Sequence, residues 1–306
     1  AASHPSSKPT RKMNIYKITW LVYVWMFADV LLLADVFENF RDVCMQHYQL
    51  DPAHYVSAPG FSWDAMLKYT KVELELMSDP EMFKMVEQGI RGGVAMITQR
   101  TATANNKYMA NYDPAQPSKY ITYLDANNLY GWAMSENMPT GGFEWVHPND
   151  FDYTMWNPID DYSHHGHIFE VDLEYPARLH DDHNDYPLAP ERIDISTDLL
   201  SAPQIQIKRN YNFRGAAHNT KLVPNLMNKS HYVVHGRNLK YYMKMGLKLK
   251  KVHRIIRFKE SEWLSPYIAF NSQMRAQAAN NFEKDFFKLL NNAVYGKTCE
   301  NVRKHM

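Results

Sequence analysis

Cysteine is all but missing: only Cys44 and Cys299 occur in 306 residues. There is no CxxC pair and no zinc-type spacing, which excludes a disulfide framework and a cysteine-built metal site. A reducing, intracellular compartment is therefore expected. Also missing is an apolar run long enough to span a bilayer. Ile18 to Ala28 follows Lys8, Arg11, Lys12 and Lys17 in the manner of a signal peptide, but it is short, and Asp29 and Asp35 interrupt the apolar pattern beyond it. It reads as a buried helix, and no membrane partner is expected. No internal repeat is found. The most informative absence is of acid. From Leu199 to Lys259 there is no Asp or Glu, against fourteen Lys or Arg. The formal net charge of +1 hides this, because Glu144 to Asp198 holds fourteen acidic residues and only Arg178 and Arg192 as bases.

What is present suits a globular α+β chain, with 45% hydrophobic residues to build a core. Residues 1–17 read as disordered, the first twelve being polar with Pro and Ser. Apolar spacing predicts a helix over 18–48, broken by Ser57-Ala58-Pro59-Gly60, and a second over Trp63–Leu76. Asp79-Pro80 starts a third, with Pro in its first turn. Gly89 to Gly93 reads as a loop open to close backbone approach. Residues 119–125 alternate as a strand ending at Asp125. Leu129–Ser135 begins a helix or turn, and 139–166 and 176–203 read as irregular. Strands are predicted over His167–Leu173 and Val252–Phe258, and a helix over Leu239–Met245. Ser261–His305 reads as helical, with a break around Pro266 to Asn271.

The basic, acid-free stretch is interleaved with Tyr211, Phe213, Tyr232, Tyr241 and Tyr242. Cations neutralise phosphates and aromatic faces accept unstacked bases, so the combination suits a nucleic-acid groove, with Lys244, Lys248 and Lys251 as contacts. An ordinary solvated face, or pairing with the acidic stretch 144–198, is the competing reading. In the last helix, Lys284, Lys288, Asn291, Asn292 and Tyr295 fall in one sector of the wheel. Phe282, Phe286, Leu289, Leu290 and Ala293 fall opposite. A lysine there can bind phosphate, and amides and a phenol can touch base and sugar edges.

Lys288-Leu-Leu-Asn-Asn292-Ala-Val-Tyr295-Gly296 resembles motif B of family B DNA polymerases, K-x-x-x-N-S-x-Y-G, with Ala293 for the serine. Tyr123-Leu-Asp125-Ala126-Asn-Asn-Leu-Tyr130-Gly131 is similar to motif A, D-x-x-S-L-Y-P, with Asn128 and Gly131 substituted. The resemblance implies that Lys288 holds the phosphates of an incoming deoxynucleoside triphosphate and that Asn292 and Tyr295 line the nascent base pair. It implies Tyr130 against the sugar, and Asp125 with the Ala126 carbonyl as ligands of Mg²⁺. Phosphoryl transfer needs hard oxygen ligands of this kind around two metal ions. Ile90-Arg91-Gly92-Gly93 resembles the Y-x-G-G loop that guides template, and Asp29 the last carboxylate of the proofreading exonuclease, with Trp25 where its tyrosine stands.

The long separation of the two motifs resembles the protein-primed subgroup, and the wording around them the Maverick/Polinton transposon polymerases. This implies DNA template and primer as partners, a terminal protein at the insertion, and a nuclear location in a eukaryotic host. The expected division is 18–88 exonuclease remnant and linker helices, 89–139 palm with motif A, 140–260 insertion and palm, and 261–306 fingers. Motif C, with the second metal-binding carboxylate, is expected after motif B and is not in this chain, so the fragment alone is expected to be inactive. A non-enzymatic transposon-derived module that binds nucleic acid or a partner is the alternative. A metal-binding protein using His164, His165 and His167, or His180 and His183, is disfavoured, since loop histidines without orienting carboxylates are ordinarily solvated.

Overall fold

In the computed structural model, the described residues are 15–156, 165–195, 198, 200–211 and 220–301. The elements run α1 (Ile15–Tyr48), α2 (Ala58–Thr70), α3 (Pro80–Gly89), α4 (Leu129–Ser135), β1 (Met138–Val146), α5 (Tyr153–Trp156) and β2 (His165–Glu174). They continue α6 (His180–His183), β3 (Glu191–Asp194), α7 (Ala202–Asn210), β4 (Thr220–Val223), β5 (Lys229–His235), α8 (Gly236–Lys244), β6 (Lys248–Ser261), α9 (Ser265–Gln277) and α10 (Asn281–Thr298). The chain divides into two units: the described parts of Ala1–Val72, Tyr130–Ser135 and Leu264–Met306, and those of Glu73–Leu129 and Glu136–Trp263. The boundary at Val72 cuts through the expected 18–88 segment, and α3 joins the sheet-bearing unit.

The first unit is helical. Ser57 caps α2, its hydroxyl accepting from Gly60 N, with a proline in the first turn, and Lys71 in the left-handed region ends the helix. The Ser-Ala-Pro-Gly break thus also starts α2, which stops short of the expected Leu76. Phe61 and Met66 of α2, Tyr267 of α9, and Phe287, Leu290 and Val294 of α10 are buried together with Cys44 and Tyr48 from the end of α1. Pro266 opens α9 and does not break it; the break lies between Gln277 and Asn281. At the centre of this unit the Tyr48 hydroxyl donates to Asn271 Oδ1, and Asn271 Nδ2 donates to Asn291 Oδ1 at 2.8 Å. Asn291 is therefore buried, and Phe282 and Leu289 are exposed, which rotates the wheel reading of α10 by part of a turn. The expectation that α1 is buried fails over its outer half. Every residue from Tyr23 to Asn39 is exposed, Trp25 and Leu33 by about two thirds, because no described element packs there. Among the described residues no helix is long and apolar enough to cross a membrane.

The second unit is built on a four-stranded antiparallel sheet in the order β1-β6-β2-β5. Phe169, Val171 and Leu173 of β2 alternate onto one face with Tyr232, Val234, Leu239 and Ile255. Ile168, Val233, Ile256 and Phe258 turn to the other face, where Met82 and Met85 of α3 cover them. Asp79 caps α3 as expected, accepting from Glu81 N at 2.8 Å. β3 and β4 form a separate two-stranded ladder.

Both edges of the large sheet are closed. At β1 the segment after α2 lies alongside: Glu75 N donates to Thr140 O at 2.9 Å, and Gly142 N to Glu75 Oε2 at 2.6 Å. A Cβ on Gly141 would sit 2.7 Å from Glu75, so this close approach needs glycine. At β5, Arg91 Nη1 donates to Val233 O at 2.6 Å while its guanidinium lies 3.9 Å from the Tyr232 ring centroid. β1 itself corrects the reading of 139–166 as loop. Pro139, Gly141 and Gly142 hide the strand pattern, and an edge strand with register shifts tolerates them. β3 likewise falls within the stretch 176–203 read as irregular. The alternating segment 119–125 forms no strand. Lys119 makes an isolated bridge to Asn105, and Tyr123 and Leu124 are exposed. Alternation fixes which side chains share a face, but a strand also needs a ladder partner, and none is present among the described residues.

Candidate nucleotide and nucleic-acid sites

The open face of α10 carries the first candidate site. Phe286, Phe287, Leu290, Ala293 and Val294 hold the opposite face in the helical core, which leaves Lys284, Lys288, Asn292 and Tyr295 at the surface. Asn280 caps the helix, accepting from Glu283 N at 2.9 Å. Neither Lys284 nor Lys288 pairs with a carboxylate among the described residues. The Tyr295 ring stacks on that of Tyr130 in α4, with centroids 4.1 Å apart and planes 29° from parallel. Hydrogen bonds to Cys299 and to Tyr130 push the Tyr295 phenol up to about 12. Of the five residues expected on this face, Lys284, Lys288, Asn292 and Tyr295 are brought together and joined by Tyr130; Asn291 is not.

Asp125 and Ala126 belong to the other unit, in exposed irregular chain. The following residue but one, Asn128, takes a positive φ of 55° before α4, the turn expected after a motif of this kind. Among the described residues no three His, Cys, Asp or Glu side chains group to hold a metal ion. Asp125 offers a single carboxylate, which fits a ligand to a phosphate-bound Mg²⁺ but does not complete a site. Asp29 lies on the exposed outer half of α1. His164 lies outside the described residues.

Part of the basic stretch meets carboxylates of the acidic stretch, the pairing given as the competing reading, and Lys248, expected as a nucleic-acid contact, is among the paired residues. β2 and β6 are neighbours, so the acidic and basic segments face each other across a ladder. Lys248 and Lys250 bind Glu174 at 3.2 and 3.0 Å, Arg254 binds Glu170 at 2.5 Å, and Arg257 binds Glu144 at 2.6 Å. Lys229 is buried on Glu191 at 2.9 Å, and burial pushes its ammonium down. The imidazoles of His231 and His253 stack at 3.9 Å, His231 on Glu170 and His253 on Asp172. Burial alone would raise Glu170, but hydrogen bonds from Arg254 and His231 outweigh it and hold the carboxyl below its ordinary range.

Lys244 and Lys251 keep no carboxylate partner among the described residues. They do not share a surface with each other, and Lys251 is on the same sheet face as Lys248. Lys251 lies opposite Asp172, on the sheet face away from Val171 and Leu173, whereas α8 packs through Leu239 on the Val171 face. Arg91 is committed to the edge of β5, and Gly92 and Gly93 lie in open chain with nothing within 4 Å of an added Cβ.

The sequence matches the family of organellar and viral type B DNA polymerases over residues 10–305. The chain belongs to that family. No curated protein sequence matches it. Its fold is similar to part of Phi29 DNA polymerase. The orthorhombic crystal form aligns at 16% identity and a TM-score of 0.46, covering 81% of this chain and 37% of that one. The complex of that polymerase with primer-template DNA and incoming nucleotide aligns at 17% identity and a TM-score of 0.43, again over 81% and 37%. This family B chain spans little more than a third of the length of the solved polymerase.

Proposed function

We propose that this chain is the nucleotide-binding and part of the template-binding portion of a protein-primed DNA-directed DNA polymerase. The observation that carries the reading is the open face of α10, where Lys288, with no carboxylate partner among the described residues, and Asn292 lie on the same helix as Tyr295, which stacks on Tyr130 of α4. Lys288 is proposed to hold the triphosphate of a deoxynucleoside triphosphate, Asn292 and Tyr295 the base, and Tyr130 the sugar. The two rings lie on one another, so a nucleotide that uses both has to part them. Mg²⁺, when bound, neutralises phosphate charge, and Asp125 with the Ala126 carbonyl would supply oxygen ligands to it. Gly92, Gly93, Lys244 and Lys251 are assigned to DNA, Arg91 to fixing that loop on the edge of β5, and the insertion 140–260 to a terminal protein. An origin in a Maverick-type transposon, with Asp29 inherited from an exonuclease, belongs to the same proposal.

The test is calorimetric titration of the full chain with a deoxynucleoside triphosphate and Mg²⁺. Lys288→Ala should weaken binding about tenfold or more, the loss expected of a charge-assisted phosphate contact. A primer-template reaction run alongside should give no extension, since one carboxylate does not place two ions. Unchanged affinity in the variant would overturn the nucleotide assignment. A non-enzymatic module that binds nucleic acid or a partner would instead show no triphosphate binding at all.

A further inference from the structure

The nucleic-acid reading above rests on a stretch of sequence, and the structure narrows it to one surface. α8 carries no carboxylate anywhere along its length. Its inner side, with Leu239, Tyr242 and Met243, packs into the core of the sheet. Its outer side presents Asn238, Tyr241 and Lys244 to solvent, with Tyr241 half exposed at 51%. At the end of the helix Gly246, at φ +103°, turns the chain back toward β6, and the Arg178 guanidinium comes within 3.6 Å of where a Cβ on Gly246 would stand. Arg178 is one of only two bases in the acidic stretch, and it is delivered here from between β2 and α6.

Neither Arg178 nor Lys244 pairs with a carboxylate among the described residues, in contrast to Lys248, Lys250, Arg254 and Arg257 on β6. On this surface one exposed aromatic ring accompanies two cations that have no carboxylate partner among the described residues. The negative end of the α8 dipole accounts for the cations. It does not account for an exposed Tyr241 beside them. A duplex hides the faces of its bases, and an acidic peptide has no use for the ring, whereas an unpaired strand offers phosphate and base face alternately.

We infer that the outer face of α8, with Arg178, binds single-stranded nucleic acid, a base stacking on Tyr241 and flanking phosphates meeting Lys244 and Arg178. The inference rests on the DNA-binding part of the proposed function. It is tested by anisotropy of a labelled oligothymidylate, an abasic strand of equal length and a duplex, each titrated with the full chain across a salt series. Tyr241→Ala should weaken oligothymidylate binding about tenfold and leave the abasic strand unchanged, while Tyr241→Phe keeps parental affinity. Lys244→Ala and Arg178→Ala should each flatten the log–log salt slope by about 0.7. Parental affinity in Tyr241→Ala, or equal loss on the abasic strand, overturns the inference. The triphosphate titration separates the two proposals. If Lys288→Ala abolishes triphosphate binding while Tyr241→Ala changes nothing, the α8 surface falls and the nucleotide site stands. The reverse pattern removes the nucleotide site alone.

Discussion

His167 is the residue whose surroundings most change its chemistry. It sits on β2 against Phe151, with ring centroids 5.1 Å apart. Burial first, then the charge of Arg257, push it down to about 4. A histidine depressed in the folded state is neutral there while the unfolded chain already takes up a proton near its ordinary pKa of about 6.5. Stability is therefore unaffected at higher pH and falls as pH drops from about 6.5 toward 4, by at most one proton's worth of slope. His167→Phe should flatten the pH dependence of the melting temperature in that window, and an unchanged slope would count against the burial argument. Nothing in the sequence signalled this, since a histidine two residues from another in a polar stretch looks solvated. Asn291 was misread for the related reason that an amide on a helix looks external until its partner is known.

Among the elements, those whose ends are written in local chemistry were legible. Asp79-Pro80 starts α3 where expected, and β2, α8 and β6 form around their predicted centres. Elements that depend on a distant neighbour were not. The alternation of 119–125 says nothing about a missing ladder partner, and β1 was hidden because closure of its edge by Glu75 is what allows Gly141 and Gly142 inside a strand. The contact of α9 with α10 tests the same idea. Asn291→Leu removes the acceptor for Asn271 Nδ2 at a buried position and should cost about 1–3 kcal/mol in urea unfolding. Asn292→Ala, one residue on but exposed, should cost less than about 0.5 kcal/mol. Equal costs would mean that the amide pair does not lock the helices.

For the whole chain, the segregation of acid from base was visible in the sequence, and its meaning was not. Two segments of opposite charge can serve a partner or each other, and only the adjacency of β2 and β6 decides how much is left over. That ladder consumes Lys248, Lys250 and Arg254, Glu144 on β1 takes Arg257, and Lys244 and Lys251 are spared. Lys248→Ala should accordingly leave the salt slope of DNA binding where it was, while Lys244→Ala changes it; a flatter slope in Lys248→Ala would show that Glu174 gives up its partner to phosphate. Lys288, Asn292 and Tyr295 lie on one exposed side of α10 with Tyr130 of α4 stacked on Tyr295, while Asn291 turns inward. Exposure of the outer half of α1 could not have been read from periodicity, because a helix apolar around its circumference looks like one in a core.

That helix gives the chain an unusual physical character as a solute. Its outer turns display Tyr, Trp, Met, Phe, Val and Leu side chains around the whole cylinder between Tyr23 and Phe37, joined to a charged body of ordinary polarity. The outer half of α1 is in effect a surface-active tail. The chain should gather at air–water and plastic surfaces, take up environment-sensitive dyes while fully folded, and have its workable concentration limited by this one helix and not by the stability of either unit.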